Sequence, residues 1–86
     1  MKCQGALIKE QGVTFGILVV KPQVLHCSSD ATAMRRLGTR IFGMVPIVLM
    51  AQNTIGIPTY YGRKDIVHFL SKLPLRAIPW KEYTIS

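Results

Sequence analysis

Residues 13–21 read Val-Thr-Phe-Gly-Ile-Leu-Val-Val-Lys, and residues 45–51 read Val-Pro-Ile-Val-Leu-Met-Ala. Both runs are almost continuously apolar and rich in β-branched residues, which predicts interior strands, the first of them central and buried on both faces. Pro22 ends the first run, and Pro46 is tolerable only at the start of the second, because proline donates nothing to a strand ladder. Between the runs, Ser28-Ser29-Asp30 supplies helix-start chemistry. Ala31, Met34, Leu37, Ile41 and Phe42 then recur at helical spacing, with Thr32, Arg35, Arg36, Thr39 and Arg40 on the other side. Gly43 fits a C-terminal cap. The connection from the first run to the second is long enough for a parallel crossover.

The rest of the chain is arranged around this unit. Residues 6–9 form a strand, and Glu10-Gln11-Gly12 joins it to the Val13 run as an antiparallel hairpin. A polar turn from Gln52 to Gly56 leads to Ile57-Pro58-Thr59-Tyr60-Tyr61, a short strand that its proline assigns to an edge. Arg63 to Leu73 predicts a second helix through Ile66, Phe69, Leu70 and Leu73, stopped by Pro74. Pro74 to Pro79 reads as a loop, and Trp80 to Ile85 alternates like a last strand. The expected order is β-β-α-β-β-α-β: one α+β domain over residues 1–86, with a mixed five-stranded sheet and two packed helices.

The 86 residues carry 11 Lys or Arg against 4 Asp or Glu, a formal net charge of +7. Hydrophobic residues make up 49% and charged residues 17%, which excludes a disordered basic tail. Two cysteines are too few for a disulfide scaffold, and no period repeats. The N-terminal Met1-Lys2-Cys3-Gln4-Gly5 lacks a signal-peptide core, so the expected location is cytoplasmic with reduced thiols. From Ile41 to Gly62 no residue is charged, but Pro46, Pro58 and the central Gln52-Asn53-Thr54 argue against a membrane span.

Three places could carry chemistry. In Tyr60-Tyr61-Gly62-Arg63-Lys64-Asp65, two cations stand in the first turn of a helix, where the dipole prefers acids and free N–H groups attract anions. The two tyrosines could stack a base, or simply cover the core edge while Asp65 offsets the cations. Arg35, Arg36 and Arg40 form an acid-free helix face, suited either to phosphates or to solvent. Cys27, beside His26 and just before a helix, has a route to a lowered pKa, against the alternative of a small buried cysteine. Downstream, Ile55-Gly56-Ile57-Pro58-Thr59 resembles the Ile-Pro-Thr segment that faces the active thiol in thioredoxin-like proteins. That resemblance implies a redox role for Cys27, but there is no Cys-x-x-Cys, and a dithiol cycle would need Cys3 alongside.

No metal is implied, because Cys3, His26, Cys27 and His68 show no zinc-ligand spacing. No cofactor is implied, and the four acids offer no paired carboxylates. The leading expectation is a small basic binding module, non-catalytic, for an acidic partner such as nucleic acid. Arg35, Arg36, Arg40, Arg63 and Lys64 would supply charge, and Tyr60 and Tyr61 stacking. The alternatives are a self-associating protein-interaction domain, pairing through an exposed edge strand at Tyr60 or Trp80, and a single-thiol redox protein using Cys27.

Overall fold

The computed structural model describes residues 2–10 and 12–84. Gln11 of the first turn and Ile85 of the last strand lie outside the described residues. The strands are β1 (Lys2–Glu10), β2 (Val13–Val19), β3 (Ile47–Gln52), β4 (Pro58–Tyr61) and β5 (Lys81–Thr84). The helices are α1 (Ser28–Phe42) and α2 (Lys64–Ser71), with short 3-10 turns at Pro22–His26 and Leu75–Ala77. The five strands form one mixed sheet in the order β4-β3-β2-β1-β5. β2 and β3 are parallel and every other neighbouring pair is antiparallel. This is the α+β arrangement expected from the residue pattern.

The parallel pair forms the centre, and its side chains alternate between two cores. Phe15 and Ile17 of β2 join Val48 and Met50 of β3 on the face covered by Ile66 and Leu70 of α2 and by Ile78. Leu18 and Val20 join Ile47, Leu49 and Ala51 on the opposite face, beneath Ala31, Met34, Leu37 and Ile41 of α1. The two helices therefore cover opposite faces, which is why both central strands read as continuous apolar runs. The uncharged stretch from Ile41 to Gly62 supplies β3 and β4, and among the described residues no helix is long and apolar enough to cross a membrane.

Element ends differ from the local pattern where a distant partner decides. β1 begins at Lys2 instead of residue 6, because Lys2 to Gly5 pair with β5, as in Cys3 with Tyr83. α1 starts at Ser28, with Cys27 in the capping position and no side-chain cap. α2 is shorter than its apolar spacing suggests, since Arg63 is extended and Lys72 N–H donates to Phe69 C=O to close the last turn. The segment after Pro74 holds a 3-10 turn, and Trp80 Nε1 donates to Leu75 C=O at 3.0 Å.

Pro58 is accommodated by register. Asn53 N–H donates to Ile57 C=O across the hairpin end, so hydrogen-bonded pairs alternate through Ala51–Thr59 and Leu49–Tyr61. Pro58 falls in the other set, with its nitrogen facing away from β3. Asn53 Oδ1 also accepts from Ile55 and Ile57 N–H, and Gly56 takes a φ of 87° that favours glycine.

Phe42, the last residue of α1, lies over bare backbone at Gly16 of β2 and Gly5 of β1 and meets the Tyr83 ring edge-on at 5.0 Å. A Cβ at Gly16 would fall inside the Phe42 ring's contact distance. Gly16→Ala is therefore expected to lower stability by roughly 1–3 kcal/mol, the usual range for overpacking. Combining it with Phe42→Leu should recover part of the loss in urea unfolding, and strict additivity of the two changes would refute the contact.

Candidate functional site

The polar flank of α1 carries Arg35, Arg36 and Arg40, all exposed. Its threonines are turned onto the helix itself: Thr32 Oγ1 donates to Ser28 C=O at 2.8 Å and Thr39 Oγ1 to Arg35 C=O at 3.1 Å. Among the described residues the salt bridges are Lys2–Glu82 and Arg63–Asp65, so Arg35, Arg36, Arg40 and Lys64 are unpaired there.

At the start of α2 the two cations behave differently. Arg63 grips Asp65 with both arms of its fork, Nε to Oδ1 and Nη2 to Oδ2, each at 2.7 Å. Chiefly through the Arg63 hydrogen bonds, the Asp65 carboxyl is pulled down to about 2, and the same contact raises the guanidinium pKa. Arg63 is thus ion-paired where it stands, whereas Lys64 has no such partner among the described residues.

Arg35 and Lys64 come from helices on opposite faces of the sheet, yet both line one cleft of about 740 Å³ where the end of β4 meets the start of β3. Tyr60, Tyr61, Gly62, Arg63 and His68 complete most of its wall, and no acid lines it. Gly62 lets the chain pass close to β3 here, since a Cβ would lie 3.0 Å from Val48 Cγ2. A smaller cavity of about 250 Å³ shares Arg35, Pro46 and Ile47 with the first and adds Arg36. Arg40, one turn beyond Arg36, lines neither. Five of the seven residues singled out from the sequence thus share the main cleft and a sixth adjoins it.

The two tyrosines do not stand side by side. Strand alternation sends Tyr60, paired with Met50, into the α2-side core, and Tyr61, paired with Leu49, to the α1 side. Tyr61 keeps 40% of its surface exposed and so offers a ring. Tyr60 has a buried hydroxyl without a hydrogen-bond partner among the described residues, and burial pushes its phenol pKa up. His68, one turn after Lys64 on α2, is exposed and lines the cleft. Its position four residues after Lys64 on one helix was the available signal.

The thiols are elsewhere. Cys27 is half-buried, with Sγ 3.4 Å from Ser29 Oγ, and Cys3 is half-buried on β1; both are free. Thr59, from the segment resembling thioredoxin-like proteins, lines a cavity with Leu25 and His26 to which Cys27 does not contribute. No three His, Cys, Asp or Glu side chains converge among the described residues.

Two outcomes follow from these contacts. Tyr60→Phe removes a buried hydroxyl that bonds to nothing, so thermal unfolding should show stability unchanged or raised by up to about 1 kcal/mol. A clear loss would mean that the hydroxyl has a partner. The depressed Asp65 pKa contributes stability that is present above its ordinary value of 3.8 and is lost as pH falls through about 2. Carboxyl titration by NMR should place Asp65 near the lower value, and Arg63→Gln should return it toward the ordinary range.

No protein-family model matches the chain, and no curated protein sequence or solved structure is significantly similar to it.

Proposed function

We propose that this protein is a small basic binding module, not a catalyst, whose acidic partner is a nucleic acid held in the cleft around β4. The observation that carries the reading is the convergence of Arg35 and Lys64, unpaired cations from opposite faces, in one cleft beside the exposed Tyr61 ring. Arginine and lysine on a surface without competing acids neutralise phosphates and release their counterions, which makes such binding steeply salt-dependent. Ser71 Oγ, the hydroxyl nearest His68 in sequence, donates to the His68 carbonyl at 2.6 Å, which favours binding over nucleophilic chemistry in this cleft.

Self-association through a sheet edge is less favoured. β4 and β5 are the two edges, and each spans only 4 of the described residues, with Trp80 just before β5. Pro58 removes a donor from the outward row of β4, and β5 presents Lys81 and Glu82.

With phosphates contacted by Arg35, Arg36 and Lys64, affinity for a short labelled oligonucleotide should fall about 20-fold between 50 and 200 mM salt. Arg35→Glu and Lys64→Glu should each weaken binding by about tenfold or more, while Arg40→Glu, outside both cavities, should change it by less than about threefold. Asp65→Asn, which releases Arg63, should strengthen it. Fluorescence anisotropy measures all four. Absence of binding in dilute buffer, or an Arg40→Glu effect equal to that of Arg35→Glu, would refute the assignment.

A further inference from the structure

Resting on that reading, we infer that the cleft takes a single strand of nucleic acid, one base lying on the Tyr61 ring between phosphates held by Arg35 and Lys64. The cations are not arranged on a protruding element. One comes from the α1 side of the sheet and the other from the α2 side, and both line the cleft at the end of the edge strand. Duplex readout requires a helix or ribbon that enters a groove, with charge on its convex flanks. A cleft at the corner of a sheet, with cations from both faces, suits instead a thin, flexible strand.

Tyr61 supplies the second part of the argument. The residue is 40% exposed, strand alternation puts it on the α1 side of β4, and it lines the same cleft as Arg35. A paired base in a duplex cannot offer its face to a lone tyrosine, whereas an unpaired base can, and such stacking tolerates any sequence. Backbone polarity adds a third element. The register that places Thr59 and Tyr61 in hydrogen-bonded pairs with β3 turns the Tyr60 N–H and C=O outward, with no further strand on that side. One donor and one acceptor therefore stand beside the ring, positioned to meet the edge of a stacked base. Tyr60 acts here through its main chain, in keeping with the burial of its hydroxyl.

The test compares three labelled probes at equal salt with the full chain: a mixed-sequence single-stranded DNA 12-mer, the same strand annealed to its complement, and an abasic strand with the same phosphates. The single strand should bind at least about tenfold tighter than either other probe. Tyr61→Leu, which keeps bulk in the edge strand, should cost the single strand roughly five- to a hundredfold and leave the salt slope unchanged, while Tyr61→Phe should retain affinity. Lys64→Gln should reduce the slope itself, as loss of a phosphate contact does. In the unmodified protein, the Tyr61 ring protons should move upfield on titration with the single strand, a readout that does not depend on any variant folding. Equal affinity for duplex and abasic probes, or a Tyr61 ring that does not shift while the strand binds, overturns the single-strand assignment and leaves nucleic-acid binding standing. Binding of none of the three probes overturns both.

Discussion

The parallel pairing of β2 with β3 is the constraint on which the rest of the structure depends. A parallel pair cannot be joined by a tight turn, so the chain must leave the sheet after β2, cross it and return. α1 makes that crossing and covers one face. Because Phe15, Ile17, Val48 and Met50 point to the other face, a second layer has to form there, and α2 with the Ile78 and Trp80 segment provides it. Apart from the Tyr60 hydroxyl at the margin of the α2-side core, no buried polar or charged group interrupts either core among the described residues. The interior is therefore held by packing, and close approach of the layers matters. Gly38 illustrates this: a Cβ there would come within 2.6 Å of Ile47 Cγ2, so its absence lets α1 settle on β3.

The same constraint locates the cleft. With β2 and β3 central and β1 paired to β2, β4 is left at an edge beside β3. Helices on the two faces then approach this edge from above and below. α1 brings Arg35 and the first turn of α2 brings Lys64, so residues 29 positions apart line one cleft beside a strand of 4 residues. The scarcity of acids completes the effect. Of four acids, Asp65 is held by Arg63 and Glu82 by Lys2, and none lines the cleft.

Much of this could be read from residue order. The continuous apolar runs identified the central strands, helical spacing identified α1, and Pro58 marked an edge, because each signal is local. The first half of β1 was illegible: Lys2, Cys3 and Gln4 show no strand pattern of their own and are extended because β5, nearly 80 residues away, pairs with them. The site was legible in its residue types and not in its grouping. Strand alternation alone separates Tyr60 from Tyr61 onto opposite faces, a period-2 inference open to the sequence. That Arg35 joins Lys64 while Arg40 does not depends on how α1 is rotated against β3, and that follows from three-dimensional packing. Asp65 two residues after Arg63 was visible, but its two-armed grip on Arg63 and not on Lys64 depends on Arg63 being extended before the helix begins.

The first turn of α2 is where local physics and the chain part company. A cation at a helix start is disfavoured by about 0.3–1 kcal/mol, and the helix has no side-chain cap to compensate. Asp65 follows the local rule, and Arg63 is tied to it; Lys64 breaks the rule with no partner among the described residues. Elsewhere the chain is consistent with itself: Asp30 stands in the first turn of α1 and Arg40 in its last. Departures from local preference in an otherwise consistent sequence concentrate where function opposes stability. Lys64 is such a departure on charge, and the position that costs the helix a favourable end lines the same cleft as Arg35.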